Sequence, residues 1–137
     1  MSMKLHSVGS KVGVVAAFGL WLLTATPATA HHSFDAEYDS SKITNITGII
    51  TKVDWVNPHA FVFIDAKDEN GKVKSFRVEM GPPYALVRSG GWKRDTLKIG
   101  DKVTVEGAAL AKDGSNAAGS MQTTSMILAT GEKLVMR

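Results

Sequence analysis

Short segments of alternating apolar and polar residues, separated by turn signals, constrain this chain more than any other feature. The alternation predicts β-strands over 43–56, 60–66, 72–80, 102–110, 121–128 and 134–136. Asn70-Gly71 separates the second and third segments and predicts a hairpin. Gly48 interrupts the first segment and predicts a bulge or bend. A short helix is predicted over 84–88, before Gly90 and Gly91.

This order of elements predicts a mainly all-β fold: a small OB-like antiparallel barrel of five or six strands with one short helix. The helix falls between the third and fourth strands. Closure of the sheet lets a small number of strands bury a core without leaving exposed edges. An open β-sandwich is the alternative.

The first thirty residues predict a secretory signal peptide, which would be a cleaved helix. Lys4 and Lys11 precede an uncharged apolar run over 12–23, and small residues ending in Ala-Thr-Ala follow. Twelve helical residues span roughly 18 Å, which is short of the ~30 Å hydrocarbon core of a bilayer. We therefore expect cleavage after Ala30, export to the periplasm of a Gram-negative bacterium and no membrane anchor after cleavage. The domain plan is a signal peptide over 1–30, an N-terminal arm over 31–42 and an OB-like barrel over 43–137.

The positive charge of the chain depends on this leader. The full sequence has a formal net charge of +3. The leader contains two lysines and no acidic residue, so cleavage would leave +1 on residues 31–137. The remaining charges alternate in sign and form no basic run, so we expect no nucleic-acid partner.

Several chemistries are excluded by residue type or motif. The sequence has no cysteine, which excludes disulfides, thiolate metal sites and thiol catalysis. It also has no G-x-S-x-G elbow and no Gly-rich phosphate loop. We predict neither an enzyme nor an organic cofactor.

The histidines are the strongest candidates for chemistry. Cleavage after Ala30 would make His31 the first residue and His32 the second, and His59 is the third histidine of the mature chain. The α-amine and Nδ1 of an N-terminal histidine can chelate one metal ion, and a second imidazole can complete a three-nitrogen site. Nitrogen ligands of this kind suit copper best among the common divalent ions. The sequence therefore predicts a copper site at His31, His32 and His59, with the arm folded back over the first two strands.

Two further sets of residues complete the candidates. Those proposed to orient His59, or to add a ligand, are Asp54, Asn57, Glu79 and Met80. Those that would form the contact face of a non-metal OB-like binding module are Trp55, Tyr84, Arg88 and Trp92. The ligand of that module would be a small molecule, a glycan or an envelope protein. Mobile, solvated N-terminal histidines and core aromatics are the simpler interpretations.

The sequence resembles a family of small secreted proteins of Gram-negative bacteria that have no assigned activity. The mature chains of that family open with His-His-Ser-Phe, here 31–34, and then an acidic and aromatic stretch, here 35–38. Further matching segments are Thr-Gly…Trp-x-Asn-Pro-His at 47–59, the Gly-Pro-Pro and Leu-x-Arg segment at 81–88, Gly-Trp-x-Arg-Asp at 91–95, Leu-x-x-Gly-Asp…Gly at 97–107 and Lys-Asp-Gly-Ser at 112–115. The resemblance implies an OB-like strand plan and supplies no activity. Its N-terminal histidines are similar to those of histidine-brace copper proteins by analogy of site alone. The methionines at 121, 126 and 136 lie outside the matching segments.

The leading hypothesis is a periplasmic copper-binding protein that acts in metal binding, delivery or tolerance. The binding module described above is the second hypothesis, and a structural envelope-stress protein is the third. No particular protein partner is indicated.

Overall fold

The computed structural model describes the backbone of residues 29–137 and the side chains of residues 33–137. Two helices and seven strands follow one another along this part of the chain: α1 (Thr29–Glu37), β1 (Tyr38–Asp54), β2 (Phe61–Lys67), β3 (Val73–Glu79), α2 (Pro83–Ser89), β4 (Lys102–Ala111), β5 (Ala117–Gly119), β6 (Ser125–Ile127) and β7 (Lys133–Val135). Within it, neither helix is long and apolar enough to cross a membrane. The predicted signal peptide lies outside the described residues, apart from Thr29 and Ala30 in α1.

Five strands close into a ring in the order β1-β2-β3-β5-β4, and β4 returns to pair with β1. This order, with α2 between β3 and β4, confirms the predicted OB-like barrel and the mainly β fold. Seven strands form rather than five or six, because β6 and β7 extend the sheet from β4 beyond the ring. The barrel is also not wholly antiparallel, since β3 and β5 run parallel where the ring closes.

Strand β1 belongs to both sides of the ring. It begins at Tyr38, before the predicted start at 43, and its first part pairs with β4 while its last part pairs with β2. Gly48 lies where both pairings meet, and a Cβ there would be 2.1 Å from the carbonyl oxygen of Asp65. Glycine therefore allows the strands to approach closely enough for the barrel to close.

The hairpin between β2 and β3 forms as the Asn-Gly pair predicts. Gly71 has a φ of 75°, which favours glycine, and Asp68 Oδ1 accepts from the backbone N–H groups of Asn70 and Lys72. In β2, Val62, Ile64 and Ala66 are buried while their neighbours are more exposed, as period two requires.

The core fills the ring with branched and sulfur-containing side chains. Those that are fully or nearly fully enclosed include Ile50, Val62, Ile64, Val78, Met80, Val105, Met126 and Met136. Leu86 of α2 and Trp92 join this cluster. Helix α2 has proline in its first turn and its C-cap at Gly90, which confirms the predicted helix.

The segment predicted as a strand over 121–128 is a strand only at 125–127. Residues 121–124 form a turn instead, in which Thr124 Oγ1 accepts from the N–H of Met121 at 2.7 Å. The ring strand β5 lies earlier, at Ala117–Gly119. Its residues are small, so they give no alternating pattern, and their pairing with β3 and β4 makes them a strand.

Candidate functional site

His59 lies in the connection between β1 and β2, two residues before the second strand. It follows a cis Asn57–Pro58 peptide bond. The next residue, Ala60, donates from its backbone N–H to Gly81 and accepts from the N–H of Met80. These bonds hold the backbone at His59 against the end of β3, and the imidazole remains partly exposed, at 26% of the side chain.

The end of β3 supplies the partner of His59. Glu79 is 8% exposed, although it is a carboxylate, and its Oε1 pairs with His59 Nδ1. Its Oε2 accepts a hydrogen bond of 2.7 Å from the hydroxyl of Tyr38. The backbone oxygen of Glu79 accepts from both the N–H and the hydroxyl of Ser120. Both carboxylate oxygens are thus used, as a buried carboxylate requires.

Tyr38 is the buried end of this chain of hydrogen bonds. It is the first residue of β1 and is 1% exposed. Burial raises the pKa of its phenol well above the ordinary value, and the hydrogen bond and negative charge of Glu79 raise it further. The phenol is therefore a neutral donor at physiological pH.

The chain of three side chains, here called the Tyr38–Glu79–His59 relay, orients the imidazole. When Nδ1–H donates to the carboxylate, the neutral ring carries its lone pair on Nε2. Within residues 33–137, Nε2 has no hydrogen-bond partner, so it is available to a ligand. A carboxylate behind a histidine in this way is a common arrangement around protein-bound metal ions.

The other two predicted metal ligands lie in the N-terminal helix. The backbones of His31 and His32 belong to α1, but their side chains lie outside the described residues. The cleavage after Ala30 stays a prediction. Among the described side chains, no group of three histidine or acidic residues could hold a metal ion.

Of the four residues proposed to orient His59 or to add a ligand, Glu79 forms a hydrogen bond with the imidazole. Asp54 bonds Lys52 at 2.7 Å instead. Asn57 is exposed in the connection between β1 and β2. Met80, the residue after β3, is 1% exposed and packs in the main core, because the alternation along the chain directs it opposite to Glu79.

The four residues of the predicted contact face differ in exposure. Trp92 is 1% exposed, and its indole N–H donates to the carbonyl of Val135 at 2.6 Å. Trp55 is partly buried against the main core. Tyr84 and Arg88 are exposed on α2. The four residues therefore do not share one exposed face, and Trp92 offers no ring surface to a ligand.

Sequence reasoning missed the residues around the start of β1. Phe34 lies against Tyr38, with ring centroids 5.0 Å apart. Gly119 and Arg137 complete this contact, because Arg137 covers the Phe34 ring at 5.0 Å and Gly119 leaves space for it. The one available signal was Phe34-x-x-x-Tyr38, a spacing that places two aromatic residues on one face of a helix.

The described part of the arm contacts several strands. We expected the arm to fold back over the first two strands; α1 contacts β1, which follows it, and also reaches β3, β5 and the connection between β4 and β5. Arg77 pairs with Glu37 at 2.8 Å, and the backbone N–H of Lys112 donates to the Glu37 carbonyl at 2.9 Å. The arm therefore continues into β1 beside the relay.

Comparison with known proteins gives a family and nothing further. No curated protein and no solved structure matches the chain. The sequence model of a family of unknown function, DUF6152, matches residues 20–121, which span more than half of the chain and include the whole relay. The protein therefore belongs to DUF6152, a family of unknown function.

Proposed function

We propose that this protein is an exported metal-binding protein of the periplasm, with copper as its ion, that acts in copper binding, delivery or tolerance. His31 would supply the α-amine and an imidazole nitrogen, His59 the opposing imidazole and His32 a further ligand. The single observation that carries the proposal is the Tyr38–Glu79–His59 relay.

The relay supports metal binding because it prepares one nitrogen of His59 as a ligand. A carboxylate fixed on Nδ1 selects the ring orientation and increases the basicity of Nε2. Glu79 is itself held on its second oxygen by Tyr38 at 2.7 Å, so the carboxylate cannot rotate freely. A surface histidine with no role beyond solubility would not require a buried carboxylate that is hydrogen-bonded at both oxygens.

The available donor atoms favour copper. The sequence has no cysteine, and the methionines at 80, 126 and 136 are enclosed in the core. A site at His59 and the N-terminal segment would therefore be made of amine and imidazole nitrogens. The Irving–Williams order places Cu²⁺ above the other first-row divalent ions for such ligands.

The connection between α1 and β1 also supports the proposal. Tyr38 directly follows α1, the helix that contains the backbones of His31 and His32. One helix with a rise of about 1.5 Å per residue therefore joins these backbones to the residue that bonds Glu79.

The test is Cu²⁺ titration of the mature protein, produced by export and native cleavage of the full chain. N-terminal sequencing or mass measurement first shows whether the protein begins at His31. The binding of this protein is then compared with that of the same protein carrying one extra residue before His31, which displaces the amine from the chelate. We expect the extension and His59→Ala each to weaken Cu²⁺ binding by at least tenfold.

Glu79→Gln tests the relay more finely, because it keeps the size of the side chain and removes the carboxylate charge. We expect roughly 10- to 100-fold weaker Cu²⁺ binding. Tyr84→Ala removes an exposed aromatic residue of α2 and serves as the control, with unchanged binding. Equal affinity for the wild-type, extended and His59→Ala proteins would refute the proposal, and a non-metal binding module would then be the better interpretation.

A further inference from the structure

Phe34 of the N-terminal helix packs against the barrel in a space formed by Tyr38, Gly119 and Arg137, here called the Phe34 slot. Phe34 rests where β5 carries Gly119, and a Cβ at Gly119 would lie 2.6 Å from Phe34 Cε2 and 2.6 Å from Tyr38 Cδ2. Any residue other than glycine at this position would displace one of the two rings. Glycine there makes room for the helix, since β5 needs no special backbone angle at Gly119.

The outer side of the slot is closed by Arg137. Its guanidinium carbon lies 5.0 Å from the centroid of the Phe34 ring. The same guanidinium donates to the carbonyl of Ser120 at 2.8 Å, which fixes its plane over the ring. Phe34 is therefore partly buried against Tyr38, Gly119 and Arg137, three residues that are far apart in the sequence.

Further contacts of the described part of α1 lie near its end. Glu37 pairs with Arg77, Lys112 donates from its backbone to Glu37, and Lys112 Nζ donates to the carbonyl of Asp35. The Glu37–Arg77 ion pair is exposed, and pairs of this kind add little to stability. Among the described side chains of α1, Phe34 therefore makes the main apolar contact with the barrel.

We propose that Phe34 is the positioning residue of the metal centre: its slot fixes the backbones of His31 and His32 at a set distance from the His59–Glu79 pair. This inference rests on the proposed function. His31 precedes Phe34 by nearly one helical turn, which is roughly 5 Å of rise. The slot shares Tyr38 with the relay, so the same side chain supports both halves of the proposed centre.

Positioning explains why a metal centre would use a packed helix. An unattached N-terminal arm would lose its conformational freedom each time it bound a metal ion, which weakens binding. A helix that is already docked loses much less. Metal affinity should therefore depend on Phe34, although its ring carries no ligand atom.

The test compares Cu²⁺ affinity of mature wild-type protein with that of Phe34→Ala. We expect the variant to bind roughly 10- to 100-fold more weakly. Phe76→Ala is the matched control, because Phe76 is another partly buried phenylalanine but packs against the main core away from α1. It should leave Cu²⁺ affinity unchanged if its circular dichroism spectrum is that of the folded protein.

A thermodynamic cycle separates positioning from general destabilisation. In the His59→Ala protein the N-terminal ligands have no opposing imidazole to be positioned against, so Phe34→Ala should weaken Cu²⁺ binding there by less than threefold. The Cu²⁺ electron paramagnetic resonance spectrum of Phe34→Ala should also show fewer coordinated nitrogens. An equal loss in both backgrounds, or no loss in either, would overturn the positioning role.

Amide hydrogen exchange of the metal-free protein tests the docking itself. Amides of residues 33–37 should exchange faster in Phe34→Ala than in wild type, while those of β2 and β3 keep their protection. Unchanged exchange over 33–37 would overturn the inference while leaving the proposed function intact. Failure of the wild type to bind Cu²⁺ would instead overturn the proposed function, and the positioning role with it.

Discussion

Removal of the Tyr38 hydroxyl should destabilise the protein measurably. Tyr38→Phe keeps the aromatic ring and deletes the hydroxyl donor that lies 2.7 Å from Glu79 Oε2. A hydrogen bond to a charged group contributes about 1.5–3 kcal/mol to stability, and a buried acceptor left without its donor loses that contribution. Glu79 is 8% exposed, so water has little access to replace the hydroxyl. We therefore expect a loss of about 2 kcal/mol in the free energy of unfolding.

Urea denaturation at neutral pH, followed by circular dichroism, measures this loss. With an m-value of about 1.5 kcal/mol/M, the midpoint should fall by about 1.3 M. Tyr84→Phe is the matched control, because Tyr84 is 70% exposed on α2 and should change stability by less than about 0.5 kcal/mol. A Tyr38→Phe midpoint indistinguishable from that of Tyr84→Phe would refute the stabilising role of the bond.

Alkaline pH tests the same bond from the other direction. Burial and the adjacent Glu79 raise the pKa of Tyr38 in the folded state. The stabilisation is therefore complete below the unfolded-state pKa of about 10 and is lost as pH rises above it, by up to about 1.4 kcal/mol per pH unit. The sequence has two tyrosines, so in Tyr84→Phe protein the tyrosinate absorbance reports Tyr38 alone. It should rise together with unfolding, and ionisation in the folded protein would contradict the assignment.

Three further predictions concern the barrel and its loops. Gly48→Ala would place a Cβ 2.1 Å from the Asp65 carbonyl oxygen, so urea denaturation should show a loss of at least about 3 kcal/mol in the free energy of unfolding. A loss below about 1 kcal/mol would refute the close approach of the strands. Trp92→Phe removes the buried indole donor, and a fall of about 1–3 kcal/mol in unfolding free energy is expected; no change would show that the bond is dispensable. Hydrogen bonds from Ser115 lower the pKa of Asp113, so this carboxylate stabilises the β4–β5 loop above pH 3.8, and the effect disappears as pH falls through its folded-state pKa. Asp113→Asn should therefore lower the melting temperature at pH 7 and leave it unchanged near pH 2.

Elements with local signals were predictable from the sequence. The hairpin between β2 and β3 needs only an Asn-Gly pair and alternating neighbours, and helix α2 needs only proline before it and glycine after it. Strand β5 was not predictable in this way. Ala117–Gly119 has no alternation, and it becomes a strand because β3 and β4 supply hydrogen-bonding partners on both sides.

The residues of the candidate site also differ in whether the local sequence predicts them. Glu79 could be proposed because alternation in β3 places it opposite to Val78 and Met80, which are buried in the core. Tyr38 could not, because its partner is 41 residues away and the contact exists only once the ring is closed. Trp92 was proposed as an exposed contact residue and is buried. An aromatic residue in a loop can lie at the surface or in the core, and only the packing of the barrel decides which.

The relay also acts as a check on strand register. It joins the first residue of β1, a residue in the connection before β2 and the last residue of β3. If β3 paired one residue out of step, Glu79 would turn into the core and Val78 would turn outward. A misregistered barrel would then bury a carboxylate without donors, which strongly disfavours such a fold. Tyr38 and Glu79, which orient His59, thus help to select the one strand pairing in which the His59 ring is oriented.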